Sequence, residues 1–384
     1  MHLAWSEIKR NRTRFLLIAF IIALITTLVL FIVALAEGLG SGNIEGLTKL
    51  DANLLVFQDK SKLSLAASAL PWERLRQVKR VPGVLAAGAV GFSAASIPAG
   101  ETLSGVALDV AFLGVQPGEP GSPPIVQGRP LRTEREKAAV IDRHTQLRTG
   151  LQPGDTLIIR TVQDAKDEYH SLPVVGITDA RQFSLRPSVF VPLRTWDAMR
   201  PGSKANLESR EIVPSFLAVQ TDSSISQTEM IRRLTSEVSD VEVVDLKTAW
   251  EATPGYKEQQ STLSLQQGFT WLIGLLVVGV FFQIITLQKV GQVGVLKAMG
   301  APAALIVRSA LTQIAIVTTG GVLLGALGSF GLALGIPPTV PLSWPLDRLA
   351  ITLISLLVLG PIGGLISLRI LLKVEPLTAL GLAK

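Results

Sequence analysis

The chain has 384 residues, of which 48% are apolar and 17% charged, with a mean hydropathy of +0.43. This balance excludes a disordered chain and departs from that of an ordinary water-soluble enzyme. The formal charge is +6, but outside residues 42–261 there are 11 basic residues and only 4 acidic ones, so the excess flanks apolar segments and does not form a nucleic-acid-binding face. Cys is absent, which excludes disulfides and Cys-ligated metal centres.

In chain order, residues 1–14 form the first segment. Trp5 and Ile8 share a face with Leu3 or Ala4, opposite Lys9, Arg10 and Arg12, as in a short helix lying in a membrane interface. Residues 15–37 follow as a first transmembrane helix, uncharged until Glu37. A cleaved signal peptide fits poorly, because the apolar stretch of residues 15–36 is longer than a signal's apolar region. Residues 38–262 are polar enough to form a large α/β domain. Strand-like runs occur at 53–57, 156–160, 174–177 and 188–192, and amphipathic helices at 72–80 and 226–238. Residues 116–130, with Pro117, Pro120, Pro123 and Pro124, read as a stiff linker joining two subdomains.

Three further apolar stretches, 263–288, 304–335 and 349–369, read as transmembrane helices 2 to 4, with a tail at 370–384. Lys9 to Arg14, then Lys289, Lys297 and Arg308, then Arg369, Lys373 and Lys384 fall on one side of the membrane if both termini are cytoplasmic. The fold class expected is therefore a membrane protein of four transmembrane α-helices, with an extracytoplasmic α/β domain between helices 1 and 2.

Machinery for catalysis is missing from the sequence. It contains no G-x-x-x-x-G-K-[ST] phosphate loop, no H-E-x-x-H and no nucleophile elbow. His2, His144 and His170 are far apart along the chain. Three other features carry information. Between helices 2 and 3, within 289–303, Val290, Val293, Leu296 and Met299 recur every three residues beside Lys297, before Gly300 and Pro302 end the run. Such a cytoplasmic amphipathic helix suits docking of a soluble partner. Gly321-x-x-x-Gly325, Gly331-x-x-x-Gly335 and Gly360-x-x-x-Gly364 permit close helix packing, most simply within the chain. Glu37 has no basic neighbour along the sequence and shares a helical stripe with Thr26, Leu30 and Val33. A carboxylate above an apolar stripe can receive an amphiphile with a cationic or metal-bearing head.

Together these features resemble the MacB/FtsX-type permeases of ABC transporters over essentially the whole chain. Val126-Gln-Gly-Arg-Pro130 and Leu151-Gln-Pro-Gly-Asp155 also look like that family. Within it, residues 30–40 with Asn43 and Ile44, residues 290–300 and residues 373–381 are most similar to the haem-efflux permeases of the Hrt type. The resemblance implies a permease homodimer that exports haem from the membrane or cytoplasm and has no ATPase site of its own. Two copies of a separate ABC ATPase subunit would bind ATP and Mg. It implies no intrinsic cofactor, haem as the transported substrate and membrane lipid as a neighbour. Haem contacts are then expected from Glu37, as a ligand of the iron, and from Leu30, Val33, Ala34 and Phe269, with Phe281 or Phe282. Tyr169, His170 and Tyr256 are alternative contacts outside the membrane. Val290, Val293, Leu296, Lys297 and Met299 would couple to the ATPase. Export of lipoproteins, peptides or drugs, and FtsX-like signalling, are the rival expectations on the same scaffold.

Overall fold

The computed structural model describes residues 12–163, 166–201, 211–253, 255–288, 291, 299, 302–337 and 340–372. Residues 1–11 of the interfacial segment, most of the 289–303 segment and residues 373–384 therefore lie outside the described residues. The chain divides into a helical unit, residues 1–39 with 261–384, and a central unit, residues 40–260.

The first element, α1 (Arg12–Thr48), is one continuous helix of 37 residues. At about 1.5 Å per residue it is roughly 55 Å long, well beyond the ~30 Å of a hydrocarbon core. Gly38, Gly40 and Gly42 do not end it, although glycine after an apolar run is a common stop signal. At Gly38 the reason is packing: a Cβ there would lie 1.9 Å from the carbonyl oxygen of Pro341.

The central unit continues with β1 (Leu54–Gln58), α2 (Trp72–Val78), β2 (Val84–Ile97), β3 (Leu108–Val115), β4 (Gln127–Gly128), β5 (Ala139–Ile141) and α3 (Arg143–Thr149). Then come β6 (Thr156–Gln163), β7 (Lys166–Ile177), β8 (Ser188–Pro192), α4 (Leu193–Met199), β9 (Phe216–Thr221), α5 (Gln227–Glu237), β10 (Val241–Asp245) and α6 (Leu246–Glu251). The strands form one sheet in the order β10-β1-β9-β2-β3-β8-β5-β7-β4. β6 pairs along its length with β7 and touches β2 through Ser96 and Arg160. The path β2-β3-β8-β5-β7-β6 thus returns to β2, closing six strands into a barrel.

Alternation along the strands fills both faces. Leu54 and Val56 of β1 join one core with Phe112, Ile141, Ile159 and Val189, while Leu55 and Phe57 join a second with Leu113, Phe190 and Phe216. Burial on both faces explains why these strands read as unbroken apolar runs. Trp196 of α4 lies over Gly91 of β2 and Gly114 of β3, where a Cβ would meet its ring at 2.4 and 2.6 Å. Its indole Nε1 donates to Ser93 Oγ at 3.0 Å. Residues 116–130 are not a linker between subdomains. Gln116 Oε1 accepts from the Ala89 N–H at 2.9 Å, and β4 pairs with β7, so this stretch is tied to a single sheet.

The helical unit holds most of α1 together with α7 (Tyr256–Gln288), α8 (Ala303–Leu334) and α9 (Leu346–Leu372); the first turn of α7 belongs to the central unit. All four helices are long, and among the described residues two segments, Phe15–Thr48 and Val307–Leu334, are long and apolar enough to cross a membrane. Phe15, Ile18, Ile22, Val29 and Val33 of α1 pack with Ile314, Val317 and Val322 of α8 and Leu356 of α9. Gly321 and Gly325 let α1 approach α8. A Cβ on Gly325 would sit 2.5 Å from the Ala23 carbonyl, and Thr27 Oγ1 donates to the Gly325 carbonyl at 2.9 Å. This small-residue pair therefore serves packing within the chain. Gly331 has open space around it.

Candidate functional site at Glu37

Glu37 lies two-thirds of the way along α1. The segment joining α8 to α9 crosses the helix at this level. The Ser343 N–H donates to the Ala34 carbonyl at 3.1 Å, and the Pro341 carbonyl occupies the space above Gly38. Phe330 of α8 stacks on Trp344 of the same segment at 4.8 Å. This crossing brings Arg348 to Glu37, with Nε 3.3 Å from Oε1. The Glu37 side chain is 34% exposed and that of Arg348 61%. Glu37 thus has a basic neighbour in space that the sequence does not place beside it. The pair is half open.

The expected haem contacts are distributed unevenly. Leu30, Val33 and Ala34 are buried in the chain's own helix packing. Phe269 projects from α7 with 63% of its surface exposed. The side chains of Phe281 and Phe282 lie outside those described. A ligand above Glu37 in this arrangement meets the Glu37–Arg348 pair, whereas contact with Leu30 or Ala34 requires the helices to part. Open apolar surface is supplied by Leu16, Leu17, Phe20, Leu24 and Leu28 of α1, and by Leu265, Leu272, Ile273 and Leu276 of α7. Of the expected coupling residues, Val290, Val293, Leu296 and Lys297 lie outside the described residues, and Met299 is exposed.

In the central unit, the last turns of α1 are held by a network that sequence reasoning missed. Glu45 accepts from Lys49 Nζ at 2.9 Å and lies 3.3 Å from His144 Nε2. Lys49 also donates to the Ala180 carbonyl, and Arg181 to the Lys49 carbonyl. Arg181 Nε meets Asp179 at 2.6 Å. Asp142 caps α3, accepting from the Thr145 N–H at 2.8 Å, and also accepts from the Arg181 N–H at 3.3 Å. Burial pushes the Asp142 carboxyl up to about 6, against the pull of those N–H groups. Burial also acts to raise Asp179, but the Arg181 guanidinium more than offsets it and holds that carboxyl below its ordinary range. The sequence signal was the pair Glu45 and Lys49 at helical spacing; their partners come from residues nearly a hundred or more positions away.

Of the alternative contacts, Tyr169 is exposed on β7, and His170 lies 3.1 Å from Thr161 Oγ1 and 3.8 Å from Glu168. Tyr256 Oη accepts from Gln260 at 3.4 Å. Among the described residues no cluster of three His, Asp or Glu side chains is arranged to hold a metal ion.

Comparison with known proteins places this geometry in context. Residues 15–237 match the MacB-like periplasmic core domain family, and residues 268–376 match the FtsX-like permease C-terminal family. A protein of Staphylococcus haemolyticus (strain JCSC1435) named hemin transport system permease protein HrtB is 25% identical over 388 residues, covering 99% of each chain. Proteins of the same name from two Staphylococcus epidermidis strains, ATCC 12228 and ATCC 35984, are 24% and 23% identical, again over 99% of each chain. Among solved structures, the extracellular domain of the noncanonic ABC-type transporter YknZ from Gram-positive bacteria covers 50% of this chain and all of its own, at 14% identity and TM-score 0.35. The periplasmic region of MacB from Actinobacillus actinomycetemcomitans covers 54% of this chain and 94% of its own, at 13% identity and TM-score 0.36.

Proposed function

The chain belongs to the MacB/FtsX family of ABC transporter permeases, and from that premise we propose that it is the membrane subunit of a haem exporter. The observation that carries the proposal is the end-to-end match with proteins named as hemin transport permeases. A permease of an ABC system works with an ATPase partner, and in our reading two copies of that partner dock on the segment containing Val290, Val293, Leu296, Lys297 and Met299. Four membrane passes, both termini cytoplasmic and the central unit outside, are part of the same reading. They agree with the positions of the Lys and Arg clusters.

Haem is a flat, largely apolar macrocycle that holds an iron cation and carries two propionate carboxylates. Two copies of the permease related by a two-fold axis would present Glu37 twice. The open apolar faces of α1 and α7, including Phe269, offer cover for the porphyrin. Glu37 supplies an oxygen ligand for the ferric ion, and Arg348, which pairs with Glu37 in this structure, becomes available to a propionate when the carboxylate turns to iron. Rigid-body movement of the helices under ATP-driven closure of the partner then expels the cargo.

Titration of the purified protein with hemin, followed at the Soret band, tests this. Wild type should give a saturable shift. Glu37→Ala should weaken binding by roughly tenfold, the scale of one lost charged contact. Arg348→Gln should weaken binding in the protein that retains Glu37 and weaken it further in the Glu37→Ala background, because the propionate loses its partner in both. Absence of a saturable change in wild type would transfer support to export of another amphiphile on the same scaffold.

A further inference from the structure

The closed barrel of the central unit carries a cavity with an open mouth on its outer face, beside its weakest seam. β6 reaches β2 only at Ser96 and Arg160. Next to that bridge is a cavity of about 300 Å³ whose polar lining is Ser96, Asp109, Arg160, Thr161 and Arg186, with apolar surface from Ala94, Ala95 and Val162. An open cavity with apolar walls and a few convergent polar groups is a favoured place for small ligands.

The charges in this mouth are used unequally. Arg160 is committed: Nε donates to Ser96 Oγ at 2.9 Å and Nη1 lies 3.3 Å from Asp167. Thr161 Oγ1 is engaged with His170. Arg186 is half-buried and, among the described residues, its guanidinium has no ion pair and no hydrogen bond. Asp109, on β3, likewise has no ion pair among the described residues. Both line the same cavity, yet they do not pair with each other. Arg186 is also held firmly. It closes a turn with Phe183 through reciprocal backbone bonds of 3.0 and 3.1 Å, and the intervening Ser184 and Leu185 donate their N–H groups to the carbonyls of Asn43 and Gly42. Fixing the backbone in advance lowers the entropy cost of engaging a ligand.

We propose that this mouth binds a small zwitterion of the α-amino-acid kind. The Arg186 fork takes the carboxylate, Asp109 takes the ammonium group, and the Ala94, Ala95 and Val162 surface takes a short aliphatic side chain. A guanidinium fork matches a carboxylate bidentately, and the opposite free charge across the cavity selects against simple anions. The site is separate from Glu37 and does not depend on haem as cargo.

Calorimetric titration of the purified full-length protein with leucine, N-acetyl-leucine and leucinamide tests the assignment. Leucine should bind saturably and both blocked analogues roughly tenfold more weakly, since each loses one charge contact. Arg186→Gln should abolish the preference for leucine over leucinamide, and Arg186→Lys should keep part of it. Asp109→Asn should weaken leucine but strengthen N-acetyl-leucine, an opposite response that damage to the fold would not produce. Equal binding of all three probes, no binding of leucine, or loss of both probes together in Asp109→Asn would overturn the proposal.

Discussion

Leu54, Leu55, Val56 and Phe57 of the central unit are wholly buried, whereas Leu265, Phe269, Leu272 and Leu276 of the helical unit are more than half exposed. Each group is as apolar as the other. The central unit hides its strands between two cores, as a domain in water must. The helical unit buries one stripe of α1 against α8 and α9 and leaves the rest of its apolar surface open. So large an open apolar surface is stable only where lipid or another protein replaces water. Exposure therefore carries opposite meanings in the two units: a surface position in one, a solvent-facing position of a different solvent in the other.

Removing Trp196 is the largest expected perturbation of the water-facing half. Its ring fills the space above Gly91 and Gly114, so Trp196→Ala should destabilise the central unit by about 3–5 kcal/mol. Thermal unfolding followed by tryptophan fluorescence measures this, and a loss below about 1 kcal/mol would mean the site collapses freely.

A matched pair of substitutions sharpens the contrast between solvents. Leu276 on α7 and Leu85 on β2 are 57% and 70% exposed. Leu276→Arg should cost about 2.5–3.5 kcal/mol of insertion free energy, read as reduced membrane integration. Leu85→Arg should stay within about 0.5 kcal/mol of wild type in unfolding experiments. Equal effects at the two positions would erase the distinction.

A third, smaller effect concerns pH. Burial pushes the folded Asp142 carboxyl up to about 6 from the usual 3.8, so between these values the folded state holds the proton more tightly than the unfolded state. Stability contributed by this group is greatest at low pH and falls as pH rises from about 4 to about 6. Asp142→Asn should remove this slope while adding a constant offset. Parallel pH profiles for the two proteins would exclude Asp142 as its source.

The two halves also differed in how much of them could be read from sequence. Apolar runs without charge located the long helices, and β-branched runs located β1, β6, β7 and β8. β2 escaped because Val84–Ile97 is rich in alanine and glycine, residues that rarely signal a strand. Its glycine at 91 exists to admit Trp196, a contact more than a hundred positions away. Closure of the barrel likewise rests on long-range pairing with no local signature. At Glu37 the carboxylate was legible and its partner was not, because Arg348 arrives through tertiary packing. Arg348 was nonetheless the one basic residue between the third and fourth apolar stretches, on the side where α1 carries Glu37, and that coincidence was the available clue.

The proposed transport function requires the helical unit to lie in lipid and the central unit to fold on the far side from the cytoplasm. The natural absence of Cys makes single-cysteine labelling clean. In intact cells treated with a membrane-impermeant maleimide, Ser236→Cys in the central unit should be labelled at once. Lys297→Cys should react only after permeabilisation. Labelling of both positions in intact cells, or protection of both, would contradict the arrangement and the transport function built upon it.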